Sequence, residues 1–368
     1  MHRSATLILA FLAFCTPTLA GTSASAGLGP TPATAIRAGS PGGISFHYTS
    51  LSAAPLPDGF VFNDFTVGLD DFDRLYGNSY DSDFVPYVSR LALGKTTVLQ
   101  TRPSVAHVVN PVGVVGGSVL TDPVNFVEQA AIFTGRHAEI IARQPGEVSS
   151  YVVALNRVRS ALVASFDSSG HVTYLVYTGG RSTVLNFGPH IANPQPLQIN
   201  DAGFIAGTDG PAGIPARAFR YNPFTRTSTV LNPLSTESYS WGLGINDRLD
   251  VLGYSFNPGA TERIGVWDIR NNFHQYFVEG TPKIPTISNR LLFNEQNLIV
   301  ITRVSAPATD VGKSFIVPRP GVRLNVADLV DNPPTEDGPF YFVTAENNRG
   351  SIVGLGITGT SFFLRRKH

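Results

Sequence analysis

The sequence predicts an all-β protein: a seven-bladed β-propeller of four-stranded antiparallel blades, in which the N-terminal strand closes the last blade. Three observations carry that expectation. First, a small unit recurs seven times, made of an apolar run, a turn opened by Asn or Asp, and a short β-rich run that usually ends in glycine. Its clearest copies read Ile199-Asn200-Asp201-Ala202-Gly203-Phe204-Ile205-Ala206-Gly207 and Ile245-Asn246-Asp247-Arg248-Leu249-Asp250-Val251-Leu252-Gly253. The turn openers are Asp70, Asn110, Asn156, Asn200, Asn246, Asn294 and Asn347, and their period of roughly 45 residues belongs to propeller-like arrays. Second, the chain between them is all strand and turn signal, β-branched and aromatic runs broken by Gly, Pro, Asn and Asp, with no amphipathic helix of three turns. Third, the last unit runs out after three strands while one strand at the start, Ile44 to Ser50, is left unassigned.

The elements follow in order. Met1-His2-Arg3 and the apolar stretch Leu7 to Phe14 have the form of a signal peptide, too short to span a bilayer. Small residues at Thr18 and Ala20 suit cleavage after Ala20, with Ala26 as a second site. Either cut removes Cys15, the only cysteine, so no disulfide, zinc-thiolate site or cysteine nucleophile is expected. Residues 21–42, rich in Gly, Ala, Ser, Thr and Pro, read as a flexible leader, and 43–368 as a single propeller domain. Within it each turn unit supplies two strands and a further pair follows, as in Tyr87 to Leu93 with Thr96 to Leu99, or Ala216 to Tyr221 with Thr227 to Leu231. Pairing of the leftover first strand with the three-stranded last unit would remove the exposed edge of an open array.

The turn has a local mechanism. Asn or Asp at the first position hydrogen-bonds the backbone ahead of it, proline suits the second position, and a left-handed residue suits the fourth. Asn110-Pro111-Val112-Gly113 meets all three preferences. A second set of glycines, Gly77, Gly117, Gly207, Gly253 and Gly354, lies seven residues after each opener and is expected where chain segments approach closely. The Asn156 and Asn294 copies lack both glycines.

These repeats resemble the bacterial extracellular HAF family, whose pattern runs apolar-Asn-Asp-x-Gly-x-Val-Val-Gly, then Ala-Phe-apolar-Trp. The best match is Ile199 to Gly207 followed by Arg217-Ala218-Phe219-Arg220-Tyr221, with Arg217 in the histidine position. The resemblance implies a β-propeller and brings no catalytic residues with it.

Charge is balanced, with 27 basic and 27 acidic residues, so there is no electrostatic footprint for nucleic acid. No later apolar run approaches spanning length, which predicts no membrane insertion after signal removal; the signal predicts export to the periplasm or outside the cell, and a monomer is expected. Gly-x-Ser-x-Gly and Gly-x-Gly-x-x-Gly motifs are missing. The histidines at 47, 107, 137, 171, 190 and 274 are scattered over the blades. No catalytic residue and no cofactor is assigned. Among the acidic residues of the first blade, Asp81 and Asp83 are the calcium candidates, while Asp70 to Asp73 occupy the turn.

Function is expected from topology. If the innermost strand of each blade is the run before the Asn turn, those turns share one face and the longer loops collect on the other. The long-loop face then carries Tyr80, Asp81, Asp122, Asn125, Tyr239, Trp241, Tyr254 and Phe256, aromatics and polar tips suited to sugars or peptides. The bland reading is that several of them pack loops onto blades. A binding or scaffold module with a protein or carbohydrate partner is the first reading; a secreted polysaccharide lyase or glycoside hydrolase with a composite site at the propeller axis is the alternative.

Overall fold

Six blades are antiparallel sheets whose four strands run outward from the axis in sequence order. The computed structural model describes residues 44–51, 54–210, 216–257, 262–278, 289–303, 314–331, 342–356 and 361–367; the expected signal peptide and leader lie outside them. The first blade comprises Phe60–Leu69, Leu75–Asp81, Pro86–Ala92 and Lys95–Val98. The next five begin at the inner strands Ser104–Val109, Glu147–Leu155, Pro194–Ile199, Tyr239–Ile245 and Asn289–Phe293. Both copies without glycines form complete blades. The seventh joins Phe342–Glu346, Ile352–Leu355 and Ser361–Arg366 to the N-terminal strand Phe46–Ser50. That blade has a fifth strand the sequence did not announce: Val330–Asp331 pairs in parallel with Phe46 and His47.

The apolar core lies between blades. Of the buried clusters, one spans the second and third blades (Val114 and Ile132 with Val152 and Leu175), and another spans the fifth and sixth (Leu252 and Ile264 with Ile299 and Val317). Closure is made the same way, with Leu69, Leu75 and Leu91 of the first blade against Val353 and Phe363 of the seventh. A second strand sandwiched on both faces should be continuously apolar or small. Val251–Phe256 is buried at every residue, while the outer strand Arg181–Val184 is exposed at every residue.

The turns form as their chemistry dictates. Asn110 Oδ1 accepts from the backbone N–H groups of Val112 and Val114 at 3.2 and 2.8 Å. The fourth turn residue is left-handed in all seven units, namely Asp73, Gly113, Arg159, Gly203, Leu249, Asn297 and Gly350. The later glycines answer a different need. In five blades the inner strand bulges three residues before the opener, at His107, Val153, Leu197, Leu243 and Thr344. Ahead of the bulge the inner-strand carbonyl presses on the second strand, so a Cβ at Gly117 would collide with the Val105 oxygen and one at Gly253 with that of Trp241.

Candidate functional site

At the Asn-turn end of the axis, two rings of hydrogen bonds tie the blades together. In the inner ring the opener's amide crosses to the next blade: Asn110 Nδ2 donates to the Asn156 carbonyl at 2.8 Å, Asn156 to Asn200 at 2.8 Å and Asn200 to Asn246 at 3.0 Å. Asn246 departs from the pattern and donates to Asn297 Oδ1 at 2.8 Å. Asn294 then reaches the Asn347 carbonyl at 3.2 Å, and Asn347 closes the circle on Asp70 at 2.8 Å. Asp70 has no amide to donate; its carboxylate instead accepts from Arg74 Nε at 2.5 Å and the Tyr76 hydroxyl at 3.0 Å, and Arg74 Nη2 reaches the Val112 carbonyl at 3.2 Å.

The outer ring uses the residue after each opener, which accepts the backbone N–H of its counterpart in the preceding blade. Asp201 accepts from Arg157 at 2.7 Å, Asp247 from Asp201 at 2.8 Å and Glu295 from Asp247 at 2.8 Å. Asn348 accepts from Glu295 at 3.2 Å and Asp71 from Asn348 at 3.0 Å. The circle is interrupted where Pro111 has no N–H to give, and there the next blade carries Arg157, which has no acceptor. Freed from that role, the Arg157 guanidinium lies 3.3 Å from Asp71 and 3.7 Å from Asp201. Partial burial, reinforced by the neighbouring Asp247, raises the Asp201 pKa; burial likewise raises that of Glu295, with Asp247 and Asp201 adding to it. Four carboxylates therefore converge at the axis, each of Asp71, Asp201, Asp247 and Glu295 already engaged by a backbone N–H or the Arg157 guanidinium. Sequence reasoning missed this ring, although the aligned second turn position is acidic or amide in five of the seven copies.

At the long-loop end the eight anticipated residues separate into two groups on blades that are not neighbours. On the fifth blade, Tyr239, Trp241, Tyr254 and Phe256 do come together. Tyr239 stacks on Phe256 with centroids 5.4 Å apart, and Trp241 meets the same ring edgewise at 6.5 Å. They come together as packing, however. Tyr254 and Phe256 are 3% and 4% exposed and belong to the cluster facing Leu291 and Ile299 of the sixth blade. The expectation that they sit in a loop is corrected: Gly253 lies in mid-strand, and the strand continues through Phe256.

The first two blades hold the others. Asp122 Oδ1 accepts from the N–H groups of Val124 and Asn125 at 3.0 and 3.1 Å, and Asn125 Nδ2 donates to Asp122 Oδ2 at 2.6 Å, so this pair shapes its own turn. These bonds hold the Asp122 carboxyl below its usual pKa. Tyr80 packs on the exposed Phe62, with centroids 5.7 Å apart. Asp81 Oδ1 accepts from Asp83 and Val85 at 3.0 and 2.9 Å. Asp83 itself is exposed, and among the described residues no group of three or more His, Cys, Asp or Glu side chains is placed to hold a metal ion.

Asp81 nevertheless lines an open cleft of about 550 Å³ at the long-loop end of the first blade. Strand register puts Phe60 opposite Asp81, and Tyr87 crosses Phe60 at 90° with centroids 5.3 Å apart. Asp81 is the neighbouring charge of the Tyr87 phenol, whose pKa is raised by partial burial and then by that charge. Asp58, Gln100 and, from the second blade, Arg136 complete the polar wall. Gln100 is anchored by donating to the Gly135 carbonyl at 3.3 Å. Of the anticipated site residues only Asp81 lies here; Phe60 and Tyr87 were hidden because they read as ordinary strand aromatics.

This architecture defines a seven-bladed β-propeller. No family model matches the chain, and no curated protein matches it. Among solved structures it resembles an oligogalacturonate lyase in complex with manganese at 13% identity and a TM-score of 0.58, covering 88% of this chain and 97% of that one. An oligogalacturonate lyase from Vibrio parahaemolyticus is similar at 9% identity and 0.57, covering 87% and 97%. YCF48 bound to D1 peptide aligns at 12% identity and 0.47, covering 87% and 96%. At such identities the likeness is one of fold.

Proposed function

We propose that the chain is an exported, cofactor-free binding module, related to the HAF-repeat proteins, that recognises a protein or carbohydrate through its long-loop face in the periplasm or outside the cell. The observation that carries this reading is the contrast between the two faces of the propeller. The Asn-turn end commits its converging polar groups to its own rings, whereas the other end opens a cleft with aromatic walls and a fixed carboxylate. Concave sites with a few placed polar groups are where ligands bind. Export rests on the basic start and apolar run of residues 1–14. Among the described residues no helix is long and apolar enough to cross a membrane.

The lyase alternative fares less well at the axis. A polyuronate approaching the Asn-turn end would meet Asp71, Asp201, Asp247 and Glu295, and like charges repel. A glycan array probed with the purified mature chain, with and without calcium and with product analysis of every hit, tests the reading. Binding without turnover supports it; new unsaturated or reducing ends overturn it in favour of an enzyme. N-terminal sequencing of the protein from periplasm and medium tests export: a chain starting at Gly21 supports it, and an intact Met1 confined to the cytosol refutes it.

A further inference from the structure

The cleft on the first blade permits a narrower statement, which rests on the binding-module reading. We propose that it is a subsite for one uncharged sugar unit, with Phe60 and Tyr87 as the apolar wall, Asp58 and Asp81 as hydroxyl acceptors, and Arg136 as the donor.

A pyranose has a C–H face that packs on aromatic rings and a rim of hydroxyls that both donate and accept. The cleft is matched to that pattern. Its volume of about 550 Å³ falls within the usual span for small-molecule sites. The rings of Phe60 and Tyr87 stand at right angles and form an apolar corner. Asp81 is held in place by two backbone N–H groups, so little freedom remains to be lost when it accepts a ligand hydroxyl. Gln100 is likewise pinned.

Charge decides the class of sugar. Two carboxylates, Asp58 and Asp81, and one guanidinium, Arg136, line the cleft. A uronate would bring a third negative charge beside them, whereas neutral hydroxyls satisfy acceptors and donor alike. Neutral saccharides are therefore preferred over their uronic counterparts.

The test uses the full mature chain and an array of neutral gluco-, galacto- and manno-oligosaccharides printed beside oligouronates, followed by calorimetric titration of the tightest neutral hit. Wild type should bind neutral glycans and spare the uronates. Tyr87→Ala and Arg136→Ala should each weaken binding roughly tenfold or more, the loss of one charged or stacking contact. Tyr87→Phe, which keeps the ring, should lose less than Tyr87→Ala. Val158→Ser, exposed on the opposite face, should bind as wild type. Thermal midpoints of all variants identify any that merely unfold, and Arg136, exposed on a turn, gives a variant independent of the strand core. Three results overturn the proposal: uronates bound as well as neutral sugars, neutral binding insensitive to Tyr87 and Arg136 changes in folded protein, or a blank array. In the second case the binding-module reading survives with another site. With a blank array it survives only if envelope proteins cross-link specifically to the long-loop face. Turnover of a bound neutral glycan would sink the non-enzymatic reading while leaving the subsite in place.

Discussion

Replacing Glu346 should stabilise the propeller at neutral pH. In six blades the residue before the turn opener is apolar (Leu69, Val109, Leu155, Ile199, Ile245 and Phe293); in the seventh it is Glu346. Both of its carboxyl oxygens are buried without a hydrogen-bond partner. Burial drives its pKa well above the ordinary carboxylate value, opposed by the charge of Arg366. A folded-state pKa that is raised means the native protein keeps a proton that the unfolded chain releases. The associated stability is full below the unfolded carboxyl pKa and is lost as pH rises through the folded one, at up to about 1.4 kcal/mol per pH unit. Glu346→Gln removes the titration, so its advantage over wild type should widen by as much as about 2.7 kcal/mol between pH 5 and 7. Glu346→Leu also restores the apolar residue of the other blades. Burying leucine contributes about 1.5–3 kcal/mol and relieving an unsatisfied polar group about 1–3, so a net gain of roughly 3 kcal/mol at pH 7 is expected, since the two overlap. Urea midpoints at pH 5, 6 and 7, followed through the fluorescence of Trp241 and Trp267, measure both. A glutamine variant less stable than wild type, with a deficit growing as pH rises, would refute the reasoning; it would mean that the carboxylate is ionised and paired with Arg366.

Three further outcomes follow from the turns. Asn200→Ala strands the Phe204 N–H and the Asn246 carbonyl, which Asn200 serves at 2.8 and 3.0 Å, and should cost about 2–4 kcal/mol by urea denaturation; a loss below about 0.5 kcal/mol contradicts the inner ring. Gly203 and Arg159 hold equivalent left-handed positions with φ of 86° and 67°, so Gly203→Val should cost about 2 kcal/mol and Arg159→Gly gain about 1, and equal midpoints for both variants and wild type would dismiss the strain. Pro111→Ala restores the missing N–H and Arg157→Asp supplies the missing acceptor. Each alone should destabilise, but the pair should show a favourable coupling of about 1 kcal/mol in a double-mutant cycle, and additive effects would disprove the account of the interrupted ring.

The repeat was legible because its signals are local. An Asx turn is written in five consecutive residues, and Asn110-Pro111-Val112-Gly113 discloses its geometry without reference to the rest of the chain. Ring closure was legible too, since an unassigned strand at Ile44 to Ser50 and a blade lacking one leave a single economical pairing. The long-loop residues were less so, for one physical reason. The glycine seven residues after the opener was read as the end of a strand, yet Gly77, Gly117 and Gly253 all lie within strands that run on to Asp81, Asp122 and Phe256. They are glycine because an inner-strand carbonyl needs the space, so the residues beyond them belong to the blade.

The rings at the axis were hidden for the complementary reason: their partners are one whole repeat apart. An asparagine that caps its own turn with Oδ1 looks the same in sequence whether or not its Nδ2 reaches the next blade. The acidic or amide residue after five of the openers, and Pro111 and Arg157, adjacent copies that fail in matching ways, betray the outer link. That economy bears on function. Once the turn-opening amides bridge blades and Asp201, Asp247, Glu295 and Asp71 accept their neighbours' N–H groups, altering one of these side chains loosens a blade junction. The Asn-turn end is thereby constrained by the fold and poorly free to acquire a ligand. Asp81 shows the opposite situation. It caps a turn within a single blade, its loop bears on no ring, and the surrounding Phe60, Tyr87 and Arg136 can change without unpicking the circle; recognition is free to develop where the closure of the propeller makes no claim on the side chains.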